Sequence, residues 1–504
     1  MSLDVNVSEP DEFNCIELHG CIKNVAKIKH IKDFTYHVNY VCGKGENYIA
    51  NVFRVLIKET DKDNVVSVIV KTLINTTRQE LFRELHKREV DAYEILINKF
   101  VDIQNYIEDK IVLPKQVFSS FMKGNEVIIL EDLLADGFEI DNKIHSLQQL
   151  DYNYVQLILT KLAKFHALTF VLENKDDYLD SVDKNRKLFD DILYKDSFLS
   201  KTKLRDHYAE SFEISLNLID NTDARKKLEH VKSKLLEILK FYTKPRKHNV
   251  FCHGDLWINN ILFKTQVSDN KTEVCFLDFQ AMRYASPVLD VLYFMYLCTE
   301  SEFREKHFQK LKEEYYESFT SFLKQFNIES NSVYPREAFH DDLEETAPYG
   351  LVIALIELRV VTTKPEDEFL LKNILKVGGD TNLEPLALYH SRVNDAVNES
   401  VNNGVLDKLK DLITYCIAYL YDNLYLINIL FSNIIVINYY GYSHTQNYYF
   451  LHNDKIFYIT FSIKVLSTIF LLYTIIAKSF HVSIININSN KNFTRCQNVI
   501  NGIR

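Results

Sequence analysis

The chain has 504 residues, 47% hydrophobic and 25% charged, with a formal net charge of −10, which is the balance of a folded globular protein rather than a disordered or collagen-like one. Only 12 Gly and 8 Pro leave no room for a long low-complexity linker, and the acidic balance argues against a generic nucleic-acid binder, whose affinity rests on clustered Lys and Arg. The eight cysteines form no C-x-x-C pair and the first residues carry no apolar leader, so a reducing, cytoplasmic setting is expected.

Residues 1–30 read as an N-terminal extension. Residues 36–58 read as two strands about a glycine-containing turn, with Ile49, Asn51, Phe53, Val55 and Ile57 alternating against Ala50, Val52, Arg54 and Leu56. A valine-dense third strand, Val65 to Thr72, carries Lys71 at its end. The capping-box pattern Thr77-Arg-Gln-Glu80 predicts a helix to about Lys99, with Phe82, Leu85, Tyr93 and Leu96 on its apolar stripe and Glu89 on that same stripe.

IVLP at 111–114 and EVIILEDL at 126–133 then read as a strand pair, and Leu150–Val171 as a helix. From about 180 to 245 a Lys-, Asp- and Leu-rich stretch has helical spacing and reads as an insertion. Between 250 and 279 the short apolar runs VFC, ILF and VCFL alternate with polar turns, the pattern of a small sheet carrying loops. The remainder to about 410 is again helical. Strands dominate the first third and helices the next two thirds, so the expected class is α+β with two unequal lobes: an N-lobe over 31–133 and a C-lobe over 134–410.

Composition breaks near residue 410. The last 94 residues hold no Glu and no Pro but 18 Ile, 12 Asn and 11 Tyr. Within them 456–477 has one charge, Lys464, in 22 residues, long enough to cross a hydrocarbon core of about 30 Å; Leu424–Tyr439 is shorter. The rival reading is a translated intron or untranslated region, because Ile, Asn, Tyr, Leu and Phe have AT-rich codons and make up 57 of the 94 residues. Contact with a membrane is expected only if the 456–477 segment is genuine.

Chemistry concentrates in His253-Gly254-Asp255-Leu256-Trp257-Ile258-Asn259-Asn260 and Phe276-Leu277-Asp278-Phe279. Phosphoryl transfer from ATP needs a carboxylate to take the acceptor hydroxyl's proton and oxygen ligands to hold Mg²⁺ against the phosphates. Asp255 and Asn260, five apart in a tight loop, can supply the base and one metal ligand, and Asp278 on the next strand's end can supply the other; the bland alternative is a polar hairpin in which they satisfy turn backbone groups. Lys71 and Glu89 form a second constellation, each costly to bury alone and relieved by pairing.

Other motifs stay ambiguous. The Gly43-Lys44-Gly45-Glu46-Asn47 turn sits where a phosphate-covering loop belongs and equally suits an ordinary hairpin. Glu131-Asp132-Leu133 offers backbone groups to adenine or simply ends a strand. His166 reads as a buried, hydrogen-bonded core residue, and Trp257 as a packing anchor or a wall of the acceptor site.

The order of these motifs resembles the protein-kinase-like fold in its small-molecule branch, and in detail the ecdysteroid kinase-like family, related to choline kinases and aminoglycoside phosphotransferases. The matching phrases include CGKGENYIANVFRV (42–55), IVKT (69–72), IILEDLLADGF (128–138), CHGDLWINNILF (252–263) and FLDFQAMRYASPVLDVLYF (276–294). The resemblance covers about residues 30–405.

It implies Asp255 as catalytic base, Asn260 and Asp278 as Mg²⁺ ligands, Lys71 with Glu89 at the ATP phosphates, Gly43, Gly45 and Asn47 in the nucleotide loop, and Glu131 to Leu133 as the hinge. Asp290 would brace the catalytic loop. Gly254 stands where protein kinases usually have Arg, and no A-P-E follows D-F-Q, so activation-loop phosphorylation is not expected. The implied activity is ATP- and Mg²⁺-dependent phosphorylation of a hydroxyl on a small alcohol, an ecdysteroid or other lipophilic alcohol. The alternatives are a choline or ethanolamine kinase, which needs an aromatic cage, and a nucleotide-binding pseudokinase.

Overall fold

The computed structural model of the chain describes residues 18–41, 50–60, 62–73, 79–140, 150–174, 186–266, 271–363, 384–409, 445–452 and 455–462. They fall into two units, Met1–Tyr415 and Cys416–Arg504.

Alternation in the first strands has the physical cause it suggests. Strands β1 (Phe34–Tyr40), β2 (Ala50–Glu59), β3 (Val65–Leu73), β4 (Gln116–Met122) and β5 (Asn125–Glu131) form one antiparallel sheet in the order β1-β2-β3-β5-β4. Phe53, Val55 and Ile57 of β2 fall on one face with Val68, Val70, Val127 and Ile129, as a period of two requires. Helix α1 (Leu18–Ile28) covers them with Leu18, Cys21, Ile22, Val25 and Ala26. The end of the expected extension is therefore part of the small lobe's core, and its apolar spacing is helical.

Two expectations need correction. IVLP at 111–114 is not the partner of the strand ending at Glu131, since Pro114 has no N–H to give a ladder. The partner is β4, which begins at Gln116 and shifts register between Gln116 and Phe118, while Val112 makes only an isolated bridge to Cys275. The helix expected to stop near Lys99 runs as α2 (Gln79–Asp91), a π-helical turn (Ala92–Ile97) and α3 (Asn98–Ile103). Leu85, Glu89, Tyr93 and Leu96 are buried along it and Phe82 is half-buried; Thr77 lies outside the described residues.

The larger lobe is built on α4 (Tyr152–Glu173), whose N-cap Asp151 accepts from Asn153 N at 2.9 Å and Tyr154 N at 3.0 Å. It is the one helix among the described residues long and apolar enough to cross a membrane, and most of it is buried inside the protein. Helices α5 (Asp196–Lys201), α6 (Leu204–Leu218), α7 (Thr222–Lys232) and α8 (Leu235–Thr243) make up the described part of the expected insertion. Then come two small antiparallel pairs: β6 (Val250–Cys252) with β9 (Arg283–Ala285), and β7 (Ile261–Gln266) with β8 (Lys271–Phe276).

The lobe closes with α9 (Val288–Cys298), α10 (Ser301–Lys324), α11 (Ser330–Val333), α12 (Arg336–Thr362) and α13 (Glu384–Asn402). Helices α9 and α12 touch where Gly350 meets Tyr296: a Cβ there would lie 2.5 Å from a ring carbon. Cys21, Cys252, Cys275 and Cys298 are buried.

In the second unit β10 (Thr445–His452) and β11 (Lys455–Ser462) form an antiparallel hairpin pairing Tyr449 with Tyr458. The start of the expected membrane helix, 456–462, is thus strand, in keeping with the β-branched and aromatic run Ile456-Phe457-Tyr458-Ile459-Thr460. Residues 463–477 and 424–439 lie outside the described residues.

Candidate active site

Three chain segments meet at one ammonium. Lys71, buried on β3, sends Nζ to Glu89 Oε2 on α2 at 2.6 Å and to Asp278 Oδ1, two residues past β8, at 2.8 Å. Burial opposes the charge on Lys71, but Asp278 and Glu89 outweigh it and hold the ammonium's pKa above its ordinary value. Burial pushes the Glu89 carboxyl up, against the pull of Lys71. Asp278 has a left-handed backbone, φ 65° and ψ 68°, uncommon for a residue with a Cβ, and its Oδ2 accepts from Gln280 Nε2 at 3.3 Å.

The loop after β6 is held from below. Asp290, buried on α9, accepts from the backbone N–H of His253 at 2.6 Å and of Gly254 at 3.0 Å. His166 of α4 meets the same carboxylate through Nε2 at 3.1 Å and the Tyr315 hydroxyl through Nδ1 at 2.6 Å. His166 is therefore the buried, hydrogen-bonded core histidine its sequence context suggests. Burial works against the Asp290 charge, yet the hydrogen bond and charge of His166, with His253 and the Gly254 N–H, keep its pKa below the ordinary carboxylate value.

Gly254 explains its own identity. Its φ is +85°, and a Cβ would sit 2.0 Å from the carbonyl oxygen of Ala281. Arg283 fills the space an Arg at 254 would have competed for, donating to Gly254 O at 2.7 Å and pairing with Asp191 at 2.6 Å.

Asp255 is half-buried and accepts from the Tyr293 hydroxyl at Oδ1, 2.8 Å. Burial first, and Asp278 second, raise its pKa above the usual carboxylate range, with the Tyr293 hydrogen bond opposing. Asn260 donates from Nδ2 to Asp255 O at 2.8 Å, which leaves its side-chain oxygen as the acceptor, and its own carbonyl receives Leu277 N at 2.9 Å. Trp257 is half-buried and packs against the large core.

Five of the residues singled out in sequence are thus brought into one neighbourhood as two sets: Lys71, Glu89 and Asp278, and Asp255 with Asn260. Glu131 and Leu133 close β5 and open the following turn, where Glu131 pairs with Lys29 at 3.0 Å. Between them Asp132 is the more engaged residue. Buried, it pairs with Arg54 at 2.7 Å and accepts from Ser67 and from Leu134 N at 3.0 Å. Gly43, Gly45 and Asn47 lie outside the described residues.

Sequence reading missed Tyr293 and Arg283. Tyr293 had a signal, since it stands three residues after Asp290 and so shares its helix face; Arg283 had none, because its partner Asp191 lies far back in the insertion.

A family model described as "Ecdysteroid kinase-like family" matches residues 44–328. Among curated proteins none matches the chain. Among solved structures, a choline kinase from Cryptosporidium parvum Iowa II is 16% identical, with a TM-score of 0.39 over 79% of this chain and 98% of its own. A Plasmodium vivax ethanolamine kinase is 12% identical, with a TM-score of 0.36 over 72% of this chain and 82% of its own.

Proposed function

The chain belongs to the ecdysteroid kinase-like family, and from that premise we propose that it is a small-molecule kinase, transferring the γ-phosphoryl group of ATP, with Mg²⁺, to a hydroxyl of a lipophilic alcohol such as an ecdysteroid. The observation that carries the reading is the Lys71 ammonium fixed between Glu89 and Asp278 beside a loop that presents Asp255 and Asn260. A degenerate, non-catalytic relative would be expected to lack at least one of these groups.

The small lobe, 31–133 with α1 added, would hold nucleotide, and 134–410 the catalytic groups and the acceptor. Lys71 neutralises phosphate charge from a position its two carboxylates fix. Asp255, its pKa raised by burial, takes the proton of the acceptor hydroxyl, and Tyr293 and Asn260 orient it. The Asn260 side-chain oxygen and the Asp278 carboxylate are hard donors that suit Mg²⁺; the bound ion would supply charge neutralisation at the transferring phosphate. Asp290 and Arg283 bond the backbone of Gly254 and would position the loop. Gly43, Gly45 and Asn47 are assigned to the phosphate-covering loop and Glu131 to Leu133 to the hinge at adenine.

The test is to incubate the purified chain with Mg·ATP and a panel of steroid and other lipophilic alcohols and to weigh the products. Asp255→Asn should keep nucleotide affinity while lowering transfer about 10²–10⁴-fold. Equal turnover by mutant and parent would sink the assignment.

A further inference from the structure

Arg88 precedes Glu89 on α2, and a turn of about 100° per residue carries its side chain away from the side that meets Lys71. It is 5% exposed. Its Nη1 donates to Met282 O at 3.0 Å, in the stretch that leads from Asp278 into β9, and its Nη2 donates to Asp190 O at 3.0 Å, in the insertion. The guanidinium also lies 5.2 Å from the centre of the Phe189 ring. The helix that carries Glu89 is thereby joined to two pieces of chain from the larger lobe, one on each prong of the same fork.

The insertion piece is itself pinned to the catalytic loop. Phe189 O accepts from Tyr284 N of β9 at 2.8 Å, and the Phe189 ring packs edge-on against Phe251 of β6 at 5.4 Å. Asp191 pairs with Arg283 at 2.6 Å, and Arg283 donates to Gly254 O at 2.7 Å. One turn before Arg88, Leu85 is buried in a small apolar cluster with Ile192 and with Phe198 of α5. Glu84 pairs with Lys201 at 2.6 Å.

These contacts differ in what they can fix. The Glu84–Lys201 pair is exposed and contributes little, and the apolar cluster is non-directional. A buried guanidinium bonded to two carbonyls from different segments sets a position, because its planar fork admits one arrangement of both acceptors. Position matters at the next residue. Burial works against the Glu89 charge, so the carboxylate serves Lys71 only while the 2.6 Å contact is kept.

We propose that Arg88 is a positioning residue for phosphoryl transfer: it clamps α2 between the insertion and the chain after Asp278, and so holds Glu89 on Lys71. The inference rests on the phosphotransferase reading. It gives the insertion a task on the nucleotide side of the site, since residues 189–191 tie the Glu89 helix to the loop that presents Asp255.

The experiment uses the full chain as parent, Arg88→Met, Glu89→Gln and the double variant, and reads acceptor-free hydrolysis of Mg·ATP together with hydrogen exchange along the helices. Arg88→Met should lower kcat about 10–100-fold, as a displaced catalytic group does. It should speed exchange at the amides of α2 and leave those of α4 at the parent rate. In the Glu89→Gln background the same substitution should change kcat by less than about threefold, because its effect passes through Glu89. Arg88→Lys, whose ammonium cannot reproduce the fork, should show the same dependence on Glu89 at smaller amplitude, and it decides the question where Arg88→Met does not fold.

An Arg88 substitution that costs the same factor with and without Glu89 would make Arg88 a purely structural residue and overturn the proposal, as would unchanged exchange along α2. A parent whose ATP turnover is insensitive to Asp255→Asn overturns the kinase reading instead, and the exchange comparison then still decides whether Arg88 clamps α2.

Discussion

Tyr293 donates its hydroxyl hydrogen to Asp255 Oδ1 at 2.8 Å, so the group that would accept the substrate proton is tuned by a side chain one helical turn beyond the loop's own anchor, Asp290. Burial and Asp278 raise the Asp255 pKa while this hydrogen bond lowers it. Tyr293→Phe removes the lowering influence, so the folded-state pKa of Asp255 rises and the base is protonated at higher pH. The acid limb of kcat/KM against pH should therefore move upward, with activity regained as pH increases. A pH–rate profile superimposable on the parent's would mean that the hydroxyl does not tune the base.

Lys71 and Glu89 should behave as one unit. Removing either partner of a buried ion pair costs about 3–5 kcal/mol, and Lys71→Met with Glu89→Gln should together cost clearly less than the sum, by about 1–3 kcal/mol. The lysine's folded pKa lies above its ordinary 10.5, so its contribution is complete below that pH and is lost as pH rises through the folded value. Chemical denaturation across pH 8 to 12 should find this alkaline loss in the parent and not in Lys71→Met. Strict additivity in the cycle would count against the pair.

Gly254 and Gly404 separate two reasons for glycine. Both have positive φ, +85° and +69°, but a Cβ at 254 meets Ala281 O at 2.0 Å, while at 404 it meets nothing within 4 Å. Gly404→Ala should cost about 1–2 kcal/mol, the strain of a left-handed residue. Gly254→Ala adds a backbone collision and should lose about 3 kcal/mol or more, with transfer activity falling alongside. Similar melting temperatures for the two variants would contradict the close approach.

Asp132, rather than its neighbours Glu131 and Leu133, should prove the structural residue of the interlobe link. It is 4% exposed and satisfies Arg54, Ser67 and two backbone N–H groups. Asp132→Ala leaves Arg54 without its partner and should destabilise by about 3–5 kcal/mol, against about 1 kcal/mol for Ser67→Ala. Thermal unfolding of the two variants decides it; equal shifts would deny Asp132 that role.

The features legible in sequence are those that rest on local spacing. The alternation of Phe53, Val55 and Ile57 marks a half-buried strand because side chains on a strand point to opposite faces, and Glu89 was legible because it interrupts an apolar stripe. The bracing role expected of Asp290 from the resemblance matches its bonds to His253 and Gly254. Contacts between distant segments were not legible. Nothing near Arg283 in sequence announces Asp191, 92 positions earlier. The IVLP strand failed because an apolar run was weighed without the missing N–H of Pro114. Helix α1 was passed over although Leu18, Cys21, Ile22 and Val25 have its spacing.

The β7–β8 hairpin has mechanical consequences for how the cleft can gape. Val112 bridges to Cys275 on one of its strands, and Glu139 bridges to Phe263 on the other, so this hairpin is fastened to the chain both upstream and downstream of the interlobe link. Glu131 to Phe138 is a span of a few turn residues between the small sheet and this hairpin, and its backbone is stiffened by Asp132. Asn260 and Asp278 flank the hairpin, one at each end of it, and the Lys71–Asp278 ion pair ties it directly to β3 of the small sheet.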